Sequence, residues 1–264
     1  MLLSELYKKD NYLNKNIDFL INKVIIEYDL KSANTSLCRE YQLLPEEKIS
    51  EIESMSKKDR VTTIGKLMRK DSDFKEGLKD SFSDIRKRFF DENDIEDGDI
   101  LAIKKDAIFC LREVPNTQFG HCRFIDKNRY TSYMYLNKLE LFYAPVKSLM
   151  DSDGVLDIKG IDDDVLSKHD EYMIKTLKMI FKHLETSSKD TLFGYINRFI
   201  TKYKMRKLDT GYYREFNQES VFRVMDSEET YDDEVFIPYD NKSEVVDIDY
   251  NFFNILIPIL KIVV

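Results

Sequence analysis

The sequence predicts an α+β protein, an antiparallel sheet into which one helical segment is inserted and after which a second follows. Three features carry the prediction. A β-branched run, Lys23-Val-Ile-Ile-Glu-Tyr-Asp29, ends on a carboxylate and then on the small polar residues Ser32 to Ser36, as a strand followed by a tight turn does. From Pro45 to about Phe90, Ile49, Ile52, Ile64, Leu67, Met68, Leu78, Phe82, Ile85 and Phe89 recur at helical spacings, predicting two or three helices. Further β-type segments then return, separated by turn signals.

The elements follow in order. Asp97-Gly98 marks a turn, and Ile100 to Phe109 reads as two short strands forming a hairpin whose charged tip is Lys104 to Asp106. Thr131 to Phe142 and Val155 to Ile158 extend the same sheet, the latter entered through the turn residues Asp151 to Gly154. Asp162-Asp-Asp164 offers an N-cap and a dipole partner for a helix bearing Val165, Leu166, Met173, Leu177, Ile180, Phe181 and Leu184 on one stripe. A second helix carries Leu192, Tyr195, Ile196, Phe199, Ile200 and Tyr203, and after Gly211 the chain turns acidic and returns to strands.

Composition narrows the function classes. With 264 residues, 42% hydrophobic and 34% charged, the chain has enough apolar surface to bury a core without staples. Cys38, Cys110 and Cys122 are odd in number and scattered, which argues for buried thiols in a reducing, cytoplasmic setting. His121-Cys122 with Cys110 lacks the paired spacing of a zinc site. No signal peptide is visible at the N-terminus, and the apolar stretch Phe252 to Val264 is too short for a membrane helix and reads as a buried terminal element. No membrane partner is expected. The wealth of Ile, Lys, Asn, Asp and Tyr, without Trp, suggests an AT-rich genome such as that of a low-GC bacterium or its phage. A net charge of −8 excludes wholesale wrapping of nucleic acid but not a basic groove.

Two strand-end aspartates, Asp29 and Asp106, form an arrangement suited to holding divalent metal between carboxylates. At this point the sequence resembles the palm and thumb region of family B DNA polymerases. Their first palm motif, Asp-x-x-Ser-Leu-Tyr-Pro-Ser, is matched by Asp29-Leu-Lys-Ser32-Ala-Asn-Thr-Ser36; their second, Asp-Thr-Asp-Ser-Ile-Phe, falls on Lys104-Lys105-Asp106-Ala-Ile108-Phe109 and keeps only the second Asp. Lys138 to Tyr143 followed by Leu156-Asp-Ile-Lys159-Gly160-Ile161 is similar to the passage from palm to thumb. The resemblance implies a palm-like sheet over 1–44 and 92–161, a fingers-like helical insertion over 45–91, a thumb-like helical segment over 162–217 and a C-terminal extension over 218–264.

The resemblance further implies a polymerase-like nucleotidyltransferase acting on primed nucleic acid, most readily primed DNA, by two-metal catalysis, with Asp29 and Asp106 as ligands of Mg²⁺ or Mn²⁺ and nucleoside triphosphate as substrate. Asn34 then stands where the family places the residue under the sugar. The family's fingers signature is absent, and Arg60, Lys66, Arg69 and Lys70 are its nearest substitute toward the triphosphate; the same cluster also suits a solvated helix face. Arg198, Lys202, Lys204, Arg206 and Lys207, mixed with Tyr195 and Tyr203, have the composition of a nucleic-acid footprint, to which Lys159 adds. Two other functions stay open. One is a degenerate polymerase-like module that binds nucleic acid or replication proteins without chemistry, and the other is a metal-dependent nuclease built on Asp157-Ile-Lys159.

Overall fold

The computed structural model describes residues 3–136, 139–145, 154–160, 174–205, 207, 224–226, 229–230 and 244–245. It is a mixed α/β protein with an antiparallel sheet, and its contacts divide the chain into two units, Met1–Ile17 with Lys23–Arg129, and Asp18–Asn22 with Tyr130–Val264.

In the first unit a short helix α1 (Leu3–Leu6) leads to strand β1 (Asn11–Leu13), and residues 23–30 of β2 (Phe19–Leu30) follow. Four helices follow: α2 (Ala33–Glu40), α3 (Glu46–Ser54), α4 (Lys57–Lys70) and α5 (Ser72–Glu92). A 3₁₀ turn (Asp97–Asp99) opens the hairpin of β3 (Ile100–Lys104) and β4 (Ala107–Cys110), and β5 (Gln118–Phe119) pairs with the start of β6 (Cys122–Leu136). The strands lie in the order β1-β3-β4-β2-β6.

The helix boundaries have local causes. Ser56 and Asp71 accept the Asp59 and Phe74 amides with their side chains, capping α4 and α5 back to back along the chain. On α5, Phe74, Leu78, Phe82, Ile85 and Phe89 recur every three or four residues and are all buried. Phe89 anchors an aromatic cluster, with ring centroids 5.6 Å from Tyr28, 6.1 Å from Phe119 and 4.7 Å from Phe124. Each of these rings, taken fully out of water, contributes about 1.5–3 kcal/mol.

The second unit holds residues 130–136 of β6 with β7 (Leu139–Ala144) and β8 (Val155–Lys159), in that order and antiparallel. Helix α6 (Lys175–Thr186) presents Phe181 to Tyr143, the rings stacked 5.2 Å apart at 9°. Its Glu185 accepts hydrogen bonds from the Thr131 and Ser132 hydroxyls. Helix α7 (Lys189–Lys204) follows, and three short strands, β9 (Val224–Asp226), β10 (Glu229–Thr230) and β11 (Glu244–Val245), form a small sheet of their own.

Several expectations meet their counterparts, and some are corrected. The inserted segment forms three helices, and the hairpin turns on Lys105 and Asp106. The turn expected over Ser32 to Ser36 is only two residues long: Ser32 adopts a left-handed conformation (φ 50°), its carbonyl accepts the Thr35 and Ser36 amides, and α2 begins at once. The strand expected over Thr131 to Phe142 is two strands, and β6 starts nine residues earlier, at Cys122. The Asp162–Asp164 cap, Val165, Leu166, Met173, Gly211 and the stretch Phe252 to Val264 lie outside the described residues.

Candidate functional site

Asp29 stands one residue before the end of β2, and Asp106 forms the tip of the β3–β4 hairpin beside Lys105, whose φ of 53° makes the tight reversal. Antiparallel pairing sets Asp29 opposite Ala107, and the Leu30 amide donates to the Asp106 carbonyl at 2.9 Å. The backbone register therefore makes the two aspartates neighbours. They border one cleft of about 290 Å³ within the first unit.

The cleft is also lined by the start of α2 and by α4. Ser32, Ala33, Asn34 and Thr35 line it from α2; Lys57, Arg60, Val61 and Ile64 line it from α4. These four α4 positions fall on one stripe at spacings of three and four. Lys66 lies six residues beyond Arg60, about 240° further round the helix at about 3.6 residues per turn, and faces solvent. Arg69 and Lys70 border a separate groove with Ser72 and Lys75. Of the four basic residues expected to act together, Arg60 alone borders the carboxylates, and Lys57 joins it.

Two more charges complete the surroundings. Glu27 is buried two residues before Asp29 on β2, and its carboxylate accepts from the Asn128 amide at 2.6 Å. Lys127 reaches from β6 to within 3.5 Å of Asp29 and 3.7 Å of Glu27. The Asp29 carboxyl lies above its ordinary value: burial raises it, Lys127 pulls it down, and Asp106 with Glu27 push it up again. For Lys127 burial works against the charge, yet Asp29 and Glu27 outweigh it and hold the ammonium above its ordinary value.

The hairpin tip is fixed from below by Arg86 of α5, a residue the sequence offers as one more helix-surface cation. Its guanidinium is buried and donates to the Tyr7 carbonyl at 2.7 Å, to the Lys105 carbonyl at 2.8 Å and to Asp10 at 3.0 Å. Arg86 thus positions the residue next to Asp106. Sequence inspection missed Lys57, Arg86 and Lys127; the only signal was the three-residue step from Lys57 to Arg60, which places both on one helical face.

The whole chain, residues 1–264, matches the family model described as Bacteriophage PBS1 gene 130 protein. The chain belongs to that family. No curated protein matches it.

In this member of the gene 130 family the remaining candidates are dispersed. On β8, Asp157 accepts the Tyr130 hydroxyl, and Lys159 is half-buried opposite Glu140 of β7. On α7, Arg198 and Lys202 are exposed and one turn apart, Tyr195 packs on His183 at 4.9 Å, and Lys207 is exposed just beyond the helix. The side chains of Tyr203 and Lys204, and all of Arg206, lie outside the described residues. The three cysteines are buried, and burial pushes their thiols up, Cys38 to about 11 and Cys122 to about 12.

Among the described residues no group of three His, Cys, Asp or Glu side chains is gathered closely enough to cage a metal ion. That bears on which metal fits. Mg²⁺ is commonly held by one or two carboxylates together with substrate phosphates and waters rather than by an all-protein cage. The hard oxygen donors Asp29 and Asp106 match that pattern. Among the described residues no helix is long and apolar enough to cross a membrane.

Proposed function

We propose that the cleft is the site of a polymerase-like nucleotidyltransferase that takes a nucleoside triphosphate and a primed nucleic acid, most readily DNA, inside the bacterial host cell. The observation that carries this reading is that Asp29 and Asp106 share one cleft with Lys57 and Arg60. Carboxylates and cations lining one cleft suit a ligand that is itself a chain of phosphates bridged by a cation.

Asp29 and Asp106 would hold Mg²⁺ or Mn²⁺. When bound, the metal supplies a lowered pKa for the attacking hydroxyl and charge compensation for the departing pyrophosphate. Lys57 and Arg60 orient the phosphates and take up their charge. Val61, an exposed apolar side chain, and Ile64 give the cleft a surface for a base or sugar, while Asn34 adds an amide. Arg198, Lys202 and Lys207 offer exposed cations for the phosphates of a nucleic acid.

The Lys127 ion pair favours a second reading, a degenerate module in which an ammonium has replaced the metal and the protein binds nucleic acid or a replication partner without chemistry. Primer extension separates the two. Wild type should extend a primed DNA or RNA with Mg²⁺ or Mn²⁺, and Asp29→Asn and Asp106→Asn should each abolish it. Absence of incorporation by wild type on every primed template ends the transferase reading. Retained, salt-dependent nucleic-acid binding would then favour the module.

A further inference from the structure

Glu27 and Asp29 stand two residues apart on β2, and so on one face of the strand. Lys127 comes to that face from the neighbouring strand β6, its ammonium 3.5 Å from Asp29 Oδ2 and 3.7 Å from Glu27 Oε1. The three groups are unequally solvated. The Glu27 side chain is 4% exposed and the Asp29 side chain 24%, whereas that of Lys127 is 47% exposed. The acids are fixed in the fold while the base is half in water. A long, unbranched side chain with a half-hydrated tip can leave its partner at small cost, since a pair of this exposure is worth only about 1 kcal/mol or less.

We propose that Lys127 is an exchangeable counter-ion, its ammonium holding the Asp29 carboxylate in the free protein and yielding that carboxylate to a divalent metal ion that arrives with the phosphates of a ligand. This deepens the reading of the cleft as a metal-and-phosphate site and rests on it. Charge drives the exchange. Glu27, Asp29 and Asp106 together carry three negative charges; one ammonium offsets a third of them, and a dication offsets more. The displaced ammonium is not wasted, because its three donors are then free to meet a ligand phosphate beside the metal. Free protein and loaded protein each keep the Asp29 carboxylate beside a cation, and metal without ligand must compete against a tethered one.

Lys127→Met tests the exchange, since it removes the ammonium and keeps an apolar stem of similar length. Full-length wild type, K127M, D29N and the K127M/D29N double variant are titrated with Mn²⁺ without nucleotide, free Mn²⁺ being read by electron paramagnetic resonance and folding by thermal melts. K127M should bind Mn²⁺ up to about fivefold more tightly than wild type, the effect of removing one competing partly exposed charge pair, and the double variant should lose the gain. Binding by K127M no tighter than wild type overturns the proposal, as does a gain that survives in the double variant. Lys127→Gln supplies the same comparison if the Met variant melts early. Mn²⁺ binding is read apart from incorporation, so the two readings fail separately. A wild type that extends no primer beside a K127M that gains Mn²⁺ sinks the transferase and keeps the exchange; normal extension beside an unchanged K127M does the reverse.

Discussion

Arg86→Met is expected to destabilise the first unit. The side chain is 1% exposed, and its bond to Asp10 ends differently from its two bonds to carbonyls when the guanidinium is removed. Asp10 has a side chain 46% exposed and returns to water at little cost. The Tyr7 and Lys105 carbonyls lose a charged donor each, and because both bonds are only part-buried each loss falls at the lower end of the penalty for an unsatisfied acceptor, about 1 kcal/mol. Two such losses give about 2 kcal/mol, and because the Met side chain retains the packing no large cavity cost is added. In a protein of this size a loss of that order lowers the melting temperature by about 5 °C. Urea titration followed by circular dichroism measures the change directly. Arg86→Lys should recover only part of it, because a single ammonium cannot serve three acceptors held in a fork. A loss below about 1 kcal/mol for R86M would refute the reasoning, since it would mean that the two carbonyls find other donors and that Arg86 does not fix the hairpin tip.

Three further outcomes follow from the geometry. Asp29→Asn should leave the protein as stable as wild type or more so at neutral pH: the folded carboxyl is raised, so its contribution is full below the unfolded value of about 4 and is lost as pH rises through the folded value, and melts at pH 3 and pH 7 should show the advantage of D29N only at the higher pH. Lower stability of D29N at pH 7 would count against a strained carboxylate. Gly120→Ala should cost about 1–3 kcal/mol in urea titration, because Gly120 has φ +58° and an added Cβ would lie 2.1 Å from a Glu40 carboxylate already engaged by the His121 amide and Arg88. Replacing Arg198 and Lys202 with Ala should reduce the salt slope of nucleic-acid binding by about 2, one for each lost phosphate contact, and an unchanged slope in filter binding would assign them to solvent.

The elements with strong local signals were legible from the sequence. The stripe Phe74, Leu78, Phe82, Ile85, Phe89 spells α5, and the charged tip between two apolar runs spells the β3–β4 hairpin. That Asp29 and Asp106 lie close followed from two strand ends, and the position of Asn34 five residues after Asp29 carried it to the same cleft. What was not legible depends on register between distant segments. Lys127 meets Asp29 only because β6 pairs beside β2, a choice made 98 positions away in the chain that no local pattern encodes. Arg86, Lys87 and Arg88 read as one basic run, yet successive residues on a helix point about 100° apart, so Arg86 is buried while Lys87 remains half in water. The strands β1 and β5, of three and two residues, are too short for any periodicity to mark them.

The buried thiols of the first unit have a practical consequence. Cys38, Cys110 and Cys122 are each 0% exposed and their thiols are pushed well above the pH at which thiolates form readily, so alkylating reagents meet them only when the surrounding fold opens. Their reaction rate therefore serves as an internal clock. Cys38 lies on α2, Cys110 on β4 and Cys122 at the start of β6, so mass spectrometry of the three sites resolves whether helix, hairpin and central strand open together or in sequence. A cysteine introduced on the exposed face of α7 would label within the time that the native three stay silent, which allows a probe to be attached without removing any of them.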